Sequence, residues 1–294
     1  MTQAQAAIDA VSLGVLFALV ATGIALVFGV MRLINLAHGE LFTAGAYTLS
    51  LTAAWATGAR LVVMLGVVVG LALLLERIAF RPIRQAPPAT MLVLTFAVAF
   101  FLQALARLLF SAQGRGVQIL PDLNEPVVIA DVRIRLLTIV TAAVGAVLLV
   151  ATALFLTRTR LGLQMRAAAA DFETARLLGV DANRVIRVAF LLAGLLAAAV
   201  ALFLTVERTT ITPNFGFGIT LSGLVGVVLG GLDRIVSGAL GGFFLGVTSS
   251  VIATLLTSDT RVFLDSWVFV TVIVVLLLRP QGLFAGRGAS AQRV

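Results

Sequence analysis

The 294-residue chain has no lysine and no cysteine; its 21 basic residues are all arginine, and His38 is its one histidine. Without lysine there is no P-loop, whose phosphate grip requires that residue, and no Schiff-base chemistry. Without cysteine there is no disulfide framework, iron–sulfur cluster or thiol nucleophile. One histidine cannot make a two-histidine zinc site. Charge is scarce as well: 12% of residues are charged, against about 25% in a soluble domain. With 61% hydrophobic residues the chain reads as an all-α integral membrane protein, residues 1–294 forming one polytopic domain with no room for a soluble catalytic module. The net charge of +8 comes from arginines scattered between apolar runs, where they set membrane orientation, so no nucleic acid is expected as a partner.

Uncharged runs of about 20 residues can cross a ~30 Å hydrocarbon core as helices. Candidates are 11–30, 41–59, 61–75, 89–106, 136–157, 188–206, 209–232, 235–258 and 262–278, which predicts a helical bundle of eight to ten spans. The run 61–75 is short and is expected to extend past Glu76 and Arg77, which can reach the interface. The run 209–232 carries Pro213, Asn214, Gly216 and Gly218, so its first part reads as a loop or a re-entrant segment. Met1–Ala10 has no basic residue, so a cleaved signal peptide is not expected and the first run stays as a span. Fourteen of the 21 arginines fall on one side if the C-terminus is cytoplasmic, which favours that orientation.

The most polar interruption lies between the first two runs. Arg32, Asn35, His38 and Glu40 stand together beside Gly39. Ionisable residues at membrane depth are expensive unless they line a cavity or a path. In transporters such breaks are discontinuous helices whose freed backbone groups meet the substrate. Asn35, His38, Gly39 and Glu40 are therefore candidates for a translocation path. Gly230 and Gly231, in a second polar break before Asp233-Arg234, join them. A faint repeat, Leu33–Leu41 laid over Leu232–Leu240, is consistent with two related halves. Gly226 and Gly230, then Gly238, Gly242 and Gly246, recur at four-residue spacing, which lets membrane helices approach closely. No nucleophile–base pair or metal-ligand set accompanies Glu40 and His38, so neither an enzyme nor a cofactor is expected.

Residues 158–187 form the longest inner loop. Asp171 is a good N-cap and Gly179 a good terminator, which predicts a helix over Phe172–Leu178. Two turns are not stable alone. Phe172, Ala175, Leu177 and Leu178 need a surface, either this bundle or a cytoplasmic partner; the loop's length favours the partner.

Taken in order, four segments resemble the permease subunit of branched-chain amino acid ABC importers, of the LivH type. They are Gly29–Glu40 with Ala44–Tyr47, Arg166–Asp171 with Ala175–Gly179, Val228–Gly231 with Ser237–Gly242, and Leu278–Phe284. The resemblance implies a multi-pass bacterial inner-membrane protein that pairs with a second permease. Two cytoplasmic ATPases and a periplasmic or surface substrate-binding protein complete the importer, and the ATPases would couple through Arg166, Asp171, Phe172, Ala175, Leu178 and Gly179. The missing lysine agrees, since this chain cannot itself be the ATPase. Asp233-Arg234 stands where the family often has small residues, so permeation of urea or short amides stays open. A self-sufficient secondary transporter or channel is the rival outside this class.

Overall fold

The first apolar run folds as α1, Gln3–Met31, starting before residue 11 because the Ala-rich stretch Gln3–Ala10 is itself helix-forming. The computed structural model describes residues 3–84, 86–129, 132–232, 234–257 and 259–284. After α1 come α2 (His38–Leu51), α3 (Thr57–Leu75), α4 (Pro88–Phe110), α5 (Leu136–Arg158), α6 (Arg160–Ala170) and α7 (Phe172–Leu177). Then follow α8 (Ala182–Glu207), α9 (Phe217–Gly230), α10 (Ile235–Leu255) and α11 (Leu264–Leu278). Seven helical stretches among the described residues are long and apolar enough to cross a membrane: 3–31, 57–83, 89–110, 136–158, 182–207, 235–255 and 261–278. The protein is a polytopic helical membrane bundle.

Two expected spans fall short. The 41–59 run stops at Leu51, and 209–232 becomes helical only at Phe217. Each leaves a helix of 14 residues, which at 1.5 Å per residue reaches about 21 Å, less than the ~30 Å core. The reason at Leu51 is an arginine from the next helix. Arg60, buried at 6% exposure, donates from Nη2 to the Leu49 carbonyl at 2.8 Å and to the Gln118 carbonyl at 3.2 Å. A cation satisfies one of the last carbonyls of α2, where the helix dipole favours positive charge. Read in the sequence as a membrane-flanking charge, Arg60 is instead a buried helix terminator.

The run 61–75 does extend, through a π turn at Glu76–Phe80 and a 3₁₀ turn at Arg81–Ile83. Glu76 does not reach for the interface: it is buried and ion-pairs with Arg84, which also donates to Asn183 Oδ1 at 2.7 Å.

α1 is apolar all round, as a helix at the centre of a bundle must be. Its closest neighbour is α10, and the two run antiparallel. A methyl carbon added at Gly246 would lie 2.7 Å from Gly14 Cα, one at Gly242 2.6 Å from Ala21 Cβ, and one at Gly238 3.0 Å from Ala25 Cβ. Gly226 of α9 meets α10 the same way, 2.8 Å from Gly242 Cα. The glycine ladders are thus packing seams in which small residues let backbones touch. The two polar breaks join helices in opposite order: long α1 precedes short α2, and short α9 precedes long α10. Asp233, in the second break, lies outside the described residues.

One end of the bundle gathers Arg32, the Glu76–Arg84 turn, the 158–187 loop, Gly231 and Gly282. Arg32 Nη2 donates to the Ala169 carbonyl at 2.7 Å, Arg84 reaches Asn183, and the Leu283 and Phe284 amides bond the Leu229 and Gly230 carbonyls at 2.8 and 3.1 Å. The other end carries a hairpin of β2 (Pro126–Ile129) and β3 (Val132–Arg135). There β1 (Arg115–Gly116) also pairs antiparallel with β4 (Thr210–Ile211), tying the 111–135 loop to the approach to α9.

Candidate functional site

The first break is built from residues 32–37. Arg32 ends α1 in the left-handed region, φ 52°, a conformation that costs a non-glycine residue about 1–2 kcal/mol; its guanidinium turns away to Ala169. The chain then re-enters helix within one turn: the His38 amide bonds the Asn35 carbonyl at 3.3 Å and the Glu40 amide the Ala37 carbonyl at 3.1 Å. The break therefore precedes Gly39 rather than opening at it. Gly39 lies inside α2, where a methyl carbon would come 2.7 Å from the Gly216 carbonyl oxygen.

That contact brings together the N-terminal ends of the two short helices. Gly216 immediately precedes α9. Its amide donates to Thr43 Oγ1 at 3.0 Å and its carbonyl accepts from Thr220 Oγ1 at 2.9 Å. Both helix ends point their positive poles into the protein interior.

Asn35, His38 and Glu40 are all buried, at 4%, 1% and 3% exposure. Among the described residues, Asn35 Oδ1 and His38 Nε2 find no hydrogen-bond partner. His38 stands edge-on to Phe42, with centroids 5.1 Å apart, and leans on Gly23 of α1, where a methyl carbon would lie 2.8 Å from Nε2. Glu40 Oε1 accepts from Nε2 of Gln103 on α4 at 2.8 Å. Glu40 also faces a cavity of about 430 Å³ between α2, α3 and α4, with Thr43, Tyr47 and Thr48 as further polar lining and Leu71, Leu102 and Leu105 among its apolar walls.

Sequence reasoning missed Gln103 and Thr220. A lone amide inside the uncharged 89–106 run was the available signal for Gln103, because a polar side chain at membrane depth needs a partner. Thr220 had none.

Gly230 and Gly231 stand elsewhere, at the loop end of the bundle. Gly231 takes φ 107°, and the 279–284 segment closes over it. No residue of this corner lines the cavity at Glu40.

In the 158–187 loop the local signals hold. Asp171 Oδ1 accepts the Glu173 and Thr174 amides at 3.0 and 3.1 Å, and Oδ2 accepts from Thr174 Oγ1 at 2.6 Å. The Thr174 side-chain and backbone hydrogen bonds, then that of Glu173, hold the Asp171 carboxyl below its ordinary pKa. Gly179, at φ 88°, ends α7: its amide bonds the Arg176 carbonyl and the Val180 amide the Ala175 carbonyl, both at 3.0 Å, the Schellman pattern. α7 ends at Leu177, one residue short of expectation. The preceding helix α6 went unread. It buries Gly162, Met165 and Ala168 at helical spacing and leaves Arg166 exposed. Of the four apolar residues of the α7 segment, Ala175 is buried and Phe172 half-buried against the chain itself. Leu177 and Leu178 remain 88% and 81% exposed.

A family model described as branched-chain amino acid transport system / permease component matches residues 6–278. The high-affinity branched-chain amino acid transport system permease protein BraD of Pseudomonas aeruginosa is 29% identical over 298 residues, covering 95% of this chain and 94% of that protein. LivH of Escherichia coli K12, a permease protein of the same description, is also 29% identical, over 94% of this chain and 93% of its own length. Among solved structures, PsaBC from Streptococcus pneumoniae in complex with Fab aligns over 92% of this chain with a TM-score of 0.47 and 13% identity.

Proposed function

Because the chain belongs to the branched-chain amino acid transport permease family, we propose that it carries branched-chain amino acids inward across a bacterial membrane as the permease subunit of an ATP-driven importer. It is a multi-pass membrane permease subunit, and ATP hydrolysis lies in separate subunits. Family membership implies ATPase and substrate-binding-protein partners. The finer assembly is part of the proposal: a second permease subunit, two ATPases under the 158–187 loop, and a binding protein on the face that carries the β2–β3 hairpin. On this reading the C-terminus is cytoplasmic.

The observation that carries the reading is the 158–187 loop. Its short helix is fixed at both ends by Asp171 and Gly179, yet presents Leu177 and Leu178 outward. A self-sufficient channel has no use for an ordered helix that leaves two leucines in water. Within the bundle, the meeting of α2 and α9 supports alternating access. Half-helix ends beside a buried carboxylate and amide are the elements from which transporters build substrate contacts at membrane depth. Glu40, Asn35, His38 and Gly39 are assigned to that path, and Gly230 and Gly231 to its inner end.

The test is uptake by the complex reconstituted in proteoliposomes with its ATPases and binding protein. Radiolabelled leucine should accumulate only with ATP. Glu40→Gln and Asn35→Leu should each lower the rate at least fivefold with assembly unchanged. Uptake of urea in place of amino acids would overturn the substrate assignment. Full rates in both variants would reduce the 35–40 cluster to a structural feature.

A further inference from the structure

The end of the bundle opposite the 158–187 loop holds a cavity that the family assignment does not use. It is about 230 Å³ in volume and lies between α1, α5, α8 and α10. Two acids, Asp9 and Glu207, and two bases, Arg135 and Arg261, line it, together with hydroxyls such as Thr141 and Ser250. Thr138 and Arg135 stand with Asp9 in this lining. Among the described residues, however, the ion pair within 4 Å is Arg84–Glu76, far from this cavity. The four charges therefore surround the space without neutralising one another at contact distance.

Two further cavities lie along the helices that line the charged one. Along α1, α5 and α10 its lining includes Leu16, Thr141 and Ser250. Next comes an apolar cavity of about 270 Å³, lined on the same three helices by Ala18, Thr22, Leu149 and Phe243 among others. A third, of about 410 Å³, shares Leu156 and Ile235 with the second and ends at Arg166 and Arg234, beside the 158–187 loop. The second and third spaces adjoin, while the first shares no lining residue with either.

We propose that the Asp9–Arg135–Glu207–Arg261 cavity is an entry site for a zwitterionic α-amino acid, met before the path assigned to Glu40. The inference rests on the permease reading and gives it a second set of substrate contacts. A guanidinium recognises the α-carboxylate through paired N–H donors, and a carboxylate receives the α-ammonium. Both signs are needed at once: a purely anionic or cationic solute meets repulsion from one pair, and a neutral amide gains from neither. A volume below the roughly 300–1,000 Å³ of drug-sized pockets suits so small a ligand.

The test uses the reconstituted complex with leucine-loaded binding protein at saturation. Glu207 and Arg261 are exposed, so Glu207→Gln and Arg261→Gln leave the packed core untouched. Each should lower the maximal leucine uptake rate at least tenfold. The binding-protein concentration giving half-maximal rate, and the stimulated ATPase activity, should stay within twofold of wild type. Charge-retaining Glu207→Asp should restore most of the rate. Unchanged uptake in both glutamine variants would overturn the site. So would a loss of rate that tracks a raised half-saturating concentration, because the charges would then serve to dock the binding protein. Wild-type complex that transports urea but no amino acid would overturn the permease reading and the site with it. Wild-type leucine uptake with indifferent variants removes the site alone.

Discussion

Replacing Leu177 and Leu178 together by alanine should detach the ATPases without unfolding the permease. The two side chains are 88% and 81% exposed, so the isolated subunit loses almost no packing when they are shortened. In the proposed assembly they are the surface that α7 offers to a partner. Each Leu→Ala change removes three carbon groups worth about 0.8 kcal/mol apiece on burial, or about 2.4 kcal/mol per leucine if fully covered. Two leucines covered to half or more give about 2.5–5 kcal/mol. At 1.4 kcal/mol per factor of ten, that is a loss of affinity of roughly 60-fold to several thousand-fold. The assay is titration of labelled ATPase onto permease in nanodiscs, with a thermal melt of each permease alone as the control. Affinity within twofold of wild type, with matching melts, would refute the assignment of α7 as the coupling element. A lowered melt would show instead that the leucines pack on their own bundle.

Gly242→Val should destabilise the bundle by about 1–3 kcal/mol or more through overpacking, because even a methyl carbon there would come within 2.6 Å of the Phe17 carbonyl; a lower melting temperature in detergent reads it. The α7 cap has a defined pH window. The Asp171 carboxyl is held below its ordinary pKa by Thr174 and Glu173, so its stabilisation is complete above that ordinary value and is lost as pH falls through the lowered folded value. Protection of the 172–178 amides relative to their intrinsic exchange rates should therefore persist at neutral pH and be lost in strong acid, and Asp171→Ala should lack it at both. Single cysteines placed at Ser111 and Leu177 in this cysteine-free chain should label from opposite sides of the membrane; labelling of position 177 from outside would reverse the orientation.

The local signals were legible in the sequence, and their reach marks the limit of such reading. Asp171 and Gly179 act on amides and carbonyls within five residues, so residue type and spacing were enough to place them. The break at 32–40 was legible because charge inside an apolar run has few explanations. What stayed hidden depends on partners distant in the chain. α2 stops where Arg60 and the 111–120 loop meet it, and nothing between Leu51 and Ala59 announces that. Glu40 finds Gln103 across 63 positions. Glu76 was expected at the interface, and its partner Arg84 stands eight residues on. α6 was missed because its buried face is made of Gly162, Met165 and Ala168, two of them too small to mark an apolar stripe.

The α1–α10 seam also determines which of its glycines can ever be exchanged for another residue. A methyl carbon at Gly14 would press on the Phe243 ring and one at Gly238 on the Ala25 methyl, both of which are side chains. Trimming Phe243 or replacing Ala25 by glycine makes room, so these two positions are open to paired substitutions that move bulk from one helix to the other. Gly242 and Gly246 face the Phe17 and Leu13 carbonyls. A carbonyl belongs to every residue alike, and no mutation on α1 removes it. A larger residue at either site requires the whole helix to shift, which would pull apart every other contact along the seam. The ladder thus contains two negotiable positions and two fixed ones. A library that varies Gly14 with Phe243, and Gly242 with Phe17, should recover folded variants from the first pair and none from the second.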